Sequence, residues 1–316
     1  MADELLLLNA KPAARCMIAG WRRQWSDGGE ISSGLPSYLI NKLNAKRIGE
    51  MGPLVSKMCY PFQVPGTHDM YRPRVAYNDG LPSREMTREN HFYDAGNGLI
   101  VFLGEEPWLR MDVYGDAFFQ AVKTLGVSET VAVEGYNGAA PPDLERSVNC
   151  VYSQPRMKER LEKLGMRFSN YGTQSRNGPT IGMALVTIAH YQHPEIDMFR
   201  VGAMAPMYPF FAANNDPVGI TRDHRSFYDI MRRINSMFKL DIDLTDLMAL
   251  GDAESHALGE TLERISSSNP SAKELIDRAR SDYNYSPFSE LVELDPALDR
   301  TLQDILRNTP DQPTGS

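Results

Sequence analysis

The chain has 316 residues, 42% hydrophobic, 9% aromatic and 23% charged, with a net charge of −8. Its mean hydropathy of −0.39 and pI near 5.4 are those of an ordinary globular chain, which excludes a disordered or fibrous polymer. No apolar run approaches the roughly 20 residues that span a bilayer, and Cys16, Cys59 and Cys150 form no CxxC pair, so no membrane span, disulfide framework or zinc knuckle is expected.

The run Leu5 to Leu8 is too short for a secretory leader, and Asp3 and Glu4 stand where positive charge belongs; a cytoplasmic chain is expected. Residues 14–19 (ARCMIA), ending at Gly20, predict a buried strand, and apolar periodicity over residues 31–43 predicts a helix after a loop holding Gly28 and Gly29. Residues 46–51 predict the next strand. A stretch rich in Pro and polar residues follows, with a strand over 74–77 turning at Asn78-Asp79-Gly80, residues that tolerate positive φ. The clearest buried strand is residues 99–103 (LIVFL), set between Gly98 and Gly104. A helix over 114–125 with Gly126 as its cap comes next, then a strand over 130–133 closed by Gly135 and the Asn137-Gly138 turn. A charged helix over 156–164, a buried helix over 180–191 and a strand over 199–204 complete an alternation that predicts an α/β fold. Its expected form is a largely parallel central sheet with helices on both faces.

From residue 223 onward the pattern becomes helical. Phe227, Ile230, Met231, Ile234 and Phe238 recur at helical spacing, and acidic helices are expected over 244–265 and 272–283, separated by a Ser-Asn-Pro turn. A last short helix is predicted over 297–306 and a disordered tail over 309–316. The expected organisation is an N-terminal segment (1–13), an α/β domain (14–240), an acidic helical extension (241–308) and the tail. Residues 240–316 hold 16 acidic and 6 basic side chains, so the rest of the chain is close to neutral. Scattered basic pairs such as Arg22-Arg23 do not make the concentrated field that nucleic acid requires, so no nucleic-acid partner is expected. The acidic segment is expected to lie on the mildly basic body of its own chain or of a neighbour.

Several segments, in this order, carry a family resemblance: Ile18-Ala19-Gly20-Trp21; Asp27-Gly28-Gly29 opening a helix; Tyr71-Arg72-Pro73-Arg74-Val75 with Asp79-Gly80; and Leu103-Gly104-Glu105-Glu106-Pro107 after a strand. Asn177-Gly178-Pro179, Ala205-Pro206-Met207-Tyr208, Asn215-Asp216-Pro217 and Leu240-Asp241-Ile242-Asp243 with Leu247 come later in the chain. Over roughly residues 14–250 the chain resembles the proteasome assembly chaperone family, the group named after the second such chaperone. The resemblance implies a phosphorylase- or hydrolase-like α/β fold, a homo-oligomer of the trimeric kind found among bacterial members, and a C-terminal helical extension as in the longer ones. Two features depart from the family pattern. Arg22 to Ser26 widen the gap between the Gly-Trp and Asp-Gly elements, and Gln312 to Ser316 carry no hydrophobic-Tyr-any-residue tail, so docking to proteasome rings by such a tail is not expected.

In open α/β sheets ligands sit beyond the carboxyl ends of strands, which selects Trp21, Asp27, Gly28, Gly29, Glu105, Glu106 and Asn177 as candidate pocket residues. The Asp27-Gly28-Gly29 loop either holds an anion at a helix start or serves only as cap and turn. It contains neither GxGxxG nor GK[ST]. Adjacent Glu105 and Glu106 suit acid–base work or a hard cation, yet consecutive side chains point apart and Pro107-Trp108 suggests a rigid structural turn. The six histidines lack HExxH spacing, and no GxSxG elbow exists, so no metal and no cofactor are expected. The leading expectation is a non-enzymatic, oligomeric assembly or scaffold protein acting through protein contacts. The alternative is a small-molecule binder or enzyme with a pocket at the strand ends, separated from the first by whether those ends are open or filled.

Overall fold

The computed structural model describes residues 5–62, 72–73, 75–83, 86, 88–170, 178–211 and 217–288. The expectations for residues 1–4, Tyr71, Arg74, Asn177, Asn215, Asp216, the helix over 297–306 and the tail over 309–316 lie outside these.

In chain order the first half comprises β1 (Leu6–Leu8), β2 (Cys16–Arg22), α1 (Ile31–Lys42), β3 (Lys46–Met51), α2 (Pro53–Met58), β4 (Tyr77–Asn78), β5 (Leu81–Pro82), β6 (His91–Asp94) and β7 (Leu99–Glu105). Next come α3 (Met111–Thr124), β8 (Glu129–Gly138), β9 (Val148–Tyr152), α4 (Lys158–Lys163), β10 (Arg167–Phe168), α5 (Ile181–Gln192), β11 (Asp197–Phe211) and β12 (Pro217–Gly219). Three helices close the described chain: α6 (His224–Phe238), α7 (Thr245–Ser268) and α8 (Pro270–Asp282).

The main sheet runs β1-β3-β6-β7-β2-β8-β11-β9-β10, with β12 beside β11. Its four central strands, β7, β2, β8 and β11, are mutually parallel; on one flank β6, β3 and β1 each pair antiparallel with the strand before, so β3 runs with the centre and β6 and β1 against it, and on the other flank β9 pairs antiparallel with β11. The α/β expectation therefore holds, and the parallel part is its centre. Every residue of β7 is buried, because alternate side chains face opposite helical layers. Met17, Ala19, Trp21, Ile100 and Phe102 meet Tyr114 and Phe118 of α3 and Leu185 of α5. Ile18, Val101, Val131 and Phe199 meet Leu35 of α1 and Phe227 and Ile234 of α6. Such a strand has no polar face, which is why it reads as a continuous apolar run.

Three differences from the sequence reading have local causes. Gly135 does not end β8; the strand runs ten residues, through Gly138. A Cβ at Gly135 would overlap the carbonyl oxygen of Gly28, so the glycine marks a close backbone approach rather than a turn. β6 and β9 were not expected, since each is short and keeps polar residues such as His91 and Asn149 in alternation with apolar ones. The Asn78-Asp79-Gly80 turn does form a hairpin, with Asp79 at φ 47° and Gly80 at φ 80°, the signs of a type I′ turn. Its strands hold only two residues each.

The described part of the acidic C-terminal quarter, through Phe288, lies on its own chain. Asp246 takes Lys42 Nζ at 2.6 Å and the Tyr38 hydroxyl at 2.9 Å, Asp252 takes Arg225 at 2.7 Å, and Glu254 meets His224 Nδ1 at 2.5 Å. Asn269 separates α7 from α8 and caps the latter, its Oδ1 accepting the Ala272 N–H at 3.2 Å with Pro270 at the first helical position.

Candidate functional site

The carboxyl ends of β7, β2, β8 and β11 form one rim of the sheet. Trp21, near the end of β2, is fully buried there. Its indole Nε1 donates to the Tyr114 hydroxyl at 2.8 Å and its backbone N–H to Ser32 Oγ at 2.9 Å. Phe102 and Phe118 flank the ring at 6.0 and 6.3 Å. The Tyr114 hydroxyl donates onward to Asn90 Oδ1 at 3.3 Å, and that oxygen also accepts the Glu105 N–H at 3.0 Å. Asn90 Nδ2 donates to the Tyr60 hydroxyl at 3.1 Å, which donates to the Glu105 carbonyl at 2.6 Å. These side chains form a closed network whose donors and acceptors satisfy one another, the condition under which polar groups are stable in an interior. Burial pushes both tyrosine hydroxyls well above their ordinary range, so they remain protonated donors.

Asp27 serves α1. Its Oδ1 accepts the N–H groups of Ser32 at 2.7 Å and Ser33 at 3.1 Å, and its Oδ2 accepts the Ser33 hydroxyl at 2.6 Å. The helix-start donors that would hold an anion are thus occupied by a side chain. Burial raises the Asp27 carboxyl above its ordinary value, against the lowering effect of those hydrogen bonds. Gly28 and Gly29 serve close approach. A Cβ at Gly28 would lie 2.5 Å from the Tyr136 carbonyl carbon, and one at Gly29, whose φ is 65°, would lie 2.7 Å from Ala205 Cβ.

Glu105 and Glu106 point apart. Glu105 is buried, its Oε2 paired with Arg23 at 3.1 Å and with Arg88 at 3.3 Å. The Arg88 guanidinium stacks 5.1 Å from the Tyr60 ring centre, tying this pair to the Asn90 network. Glu106 is half-buried, and burial first, then the Glu134 carboxylate, push its carboxyl up to about 7, against a hydrogen bond from the Trp25 backbone. The seventh candidate, Asn177, lies outside the described residues.

The sequence reading passed over a second buried group on the same rim. Glu134 is fully buried and pairs with Arg200 Nε at 2.6 Å, while the Gly182 N–H at the start of α5 donates to its other oxygen at 2.8 Å. Arg200 also donates to Asn149 Oδ1 at 2.7 Å, and Asn149 Nδ2 donates to the Tyr136 hydroxyl at 2.8 Å. Tyr136 and Asn149 line a small cavity of about 320 Å³ with Arg167 and Tyr283. The available signal was a lone charge inside each of two apolar strands, VAVEGY and MFRVG. Asn90, Tyr60 and Tyr114 gave no such signal, because their partners lie far away in sequence.

The three cysteines are buried, and burial pushes the thiols of Cys16 up to about 11 and of Cys59 and Cys150 up to about 12, far from nucleophilic character. Among the described residues no group of three His, Cys, Asp or Glu side chains is placed to hold a metal ion, and no helix is long and apolar enough to cross a membrane. What the rim does expose is apolar: Trp25 is 62%, Phe62 59%, Leu109 54% and Trp108 44% exposed. The Trp108 and Leu109 N–H groups both donate to the Cys59 carbonyl, at 2.9 and 3.1 Å.

Comparison with known proteins places this geometry. The family model described as the PAC2 family matches residues 23–259. No curated protein matches the chain. A proteasome-assembly chaperone homologue of Mycobacterium tuberculosis superposes with a TM-score of 0.60 at 17% identity, covering 78% of this chain and 94% of that one. A Corynebacterium glutamicum protein of unknown function superposes at 0.61 with 13% identity, covering 96% and 98%. PbaB of Pyrococcus furiosus, described as an archaeal proteasome activator, gives 0.54 with 16% identity, covering 84% and 100%. At these identities the likeness to the solved structures is one of fold.

Proposed function

Since this chain belongs to the PAC2 family, we propose that it is an assembly-chaperone-like scaffold that works as a homo-oligomer, a trimer, through protein–protein contacts and without chemistry at the strand ends. One observation carries the reading. Three of the polar groups selected as a pocket are spent on neighbouring side chains and backbone, Trp21 on Tyr114, Asp27 on Ser32 and Ser33, and Glu105 on Arg23 and Arg88. The same rim presents Trp25, Phe62, Trp108 and Leu109 to solvent. A catalytic site needs unspent polar groups converging on an accessible volume, whereas protein interfaces are enriched in aromatic anchors.

The test is affinity capture from the cell of origin with the native chain and with Trp25→Asp/Trp108→Asp. The reading expects a stoichiometric partner lost with the double variant. A partner retained at full yield would show that the rim is not the contact surface.

A second reading, a small-molecule site, draws support from the cavity beyond β8 and β11, where Tyr136, Asn149 and Arg167 offer polar atoms in about 320 Å³. It predicts a ligand-induced rise in melting temperature that Asn149→Leu abolishes.

A further inference from the structure

The cavity of about 320 Å³ beyond β8 and β11 is at the low end of the volumes that hold small ligands. Four neighbouring strands build it, with Tyr136 on β8, Met204 on β11, Asn149 on β9 and Arg167 on β10. The end of α8 and the residues after it supply the facing wall, and that wall is pinned. The Tyr283 hydroxyl accepts the Ser147 N–H at 2.6 Å and donates to the Glu145 carbonyl at 3.1 Å. The Asn284 carbonyl accepts Arg167 Nη1 at 2.5 Å.

That bond spends one nitrogen of Arg167. Its Nε and Nη2, the two N–H groups along one edge of the guanidinium, have no partner among the described residues, and no described carboxylate pairs with this half-buried side chain. Elsewhere the chain turns the same edge on a carboxylate. Nε and Nη2 of Arg110 hold Asp112 at 2.9 and 2.7 Å, and those of Arg146 hold Asp223 at 2.9 and 3.2 Å. Two parallel N–H groups match the two oxygens of a planar carboxylate, so Arg167 carries an unused fork into the cavity wall.

Two hydroxyls line the same space. The Tyr136 oxygen accepts Asn149 Nδ2 at 2.8 Å, while its own O–H has no acceptor among the described residues. Burial raises this hydroxyl above its ordinary value, against the Arg200 charge, the Asn149 hydrogen bond and the Arg167 charge, so it stays a protonated donor within the field of Arg167. Ser147 is only 5% exposed, and its hydroxyl makes no hydrogen bond to a described residue. Arg200 is already neutralised by Glu134. Asp282, the one carboxylate among the lining residues, is exposed and screened by water. Phe168 and Met204 supply apolar wall.

We propose that this cavity binds a small organic acid, whose carboxylate lies on the Nε–Nη2 edge of Arg167 and takes the Tyr136 and Ser147 hydroxyls, with its ring-sized apolar body against Phe168 and Met204. The proposal rests on the small-molecule reading of this same cavity and names the ligand class.

Isothermal titration calorimetry of the full chain with benzoate, benzamide and phenyl phosphate tests this. Benzoate is expected to bind with a dissociation constant on the order of 1 mM or tighter, the range open to so small a ligand. Benzamide, of the same shape without the charge, should bind about tenfold more weakly or worse, a comparison that needs no variant. Arg167→Lys keeps the charge and loses the fork, and should weaken benzoate by about tenfold; Tyr136→Phe should weaken it by about three- to tenfold. Three results would overturn the organic-acid proposal: benzamide bound as tightly as benzoate, benzoate indifferent to both variants, or phenyl phosphate bound while benzoate is not. Each of these leaves the small-molecule reading standing as long as Asn149→Leu abolishes the binding observed. No heat from any of the three probes at about 10 mM would overturn both.

Discussion

Removing the Tyr114 hydroxyl is the most incisive perturbation of the filled strand end. Tyr114→Phe deletes the acceptor of the Trp21 indole N–H (2.8 Å) and a donor to Asn90 Oδ1 (3.3 Å), both at sites fully shielded from water. The Asn90 oxygen keeps the Glu105 N–H, so only the indole N–H is left without a partner. A lost hydrogen bond costs about 1 kcal/mol and a stranded buried donor about 1–3 kcal/mol, so the variant is expected to lose about 2–3 kcal/mol. For a chain of this size that lowers the melting temperature by roughly 3–5 °C. Trp21→Phe removes the stranded donor, at its own cost in packing against Phe102 and Phe118. Tyr114→Phe should therefore cost at least about 1 kcal/mol less in the Trp21→Phe background than alone. Urea unfolding of the four proteins, followed by circular dichroism at one protomer concentration, measures the cycle. Strict additivity, or a single-variant cost below about 0.5 kcal/mol, would refute the closed network.

Val101→Asp, at the centre of a strand buried on both faces, should lose several kcal/mol and fail to express as folded protein; an unchanged melting temperature would place β7 at an edge. Gly135→Ala should cost about 1–3 kcal/mol or more, measured by denaturant midpoint, because the new methyl meets the Gly28 carbonyl. Glu106, whose carboxyl sits at about 7 against an ordinary 4.5, binds a proton more readily folded than unfolded, so its contribution to stability falls as pH rises from about 4.5 to 7. Glu106→Gln should accordingly flatten that decline and gain on the order of 1 kcal/mol at pH 8 after allowance for solvent screening, with little change at pH 4, read from melting temperature across the range.

What the residue pattern disclosed follows physical lines. β7 was legible because burial on both faces leaves only apolar side chains, and α6 because Phe227 to Phe238 repeat on one face. Gly126 announced a helix end and takes the positive φ of such a cap, 72°. β6 and β9 were illegible because each is a short flanking strand in which polar residues alternate with apolar ones, a pattern a loop can also show. The candidate pocket residues were correctly placed at strand ends, but their fate depended on distant partners. Nothing near Trp21 in sequence announces Tyr114, and nothing near Glu105 announces Arg88, because the sheet order brings them together across long intervals. Glu134 and Arg200 were the missed opportunity: a charge in the interior of an apolar strand must find an opposite charge on a neighbour, and β8 and β11 are adjacent.

The mass of the particle in solution tests the scaffold account most directly. Multi-angle light scattering of the native chain at micromolar concentration is expected to give three times the 35.5 kDa chain mass. A native chain that runs as a 35.5 kDa monomer would contradict the account.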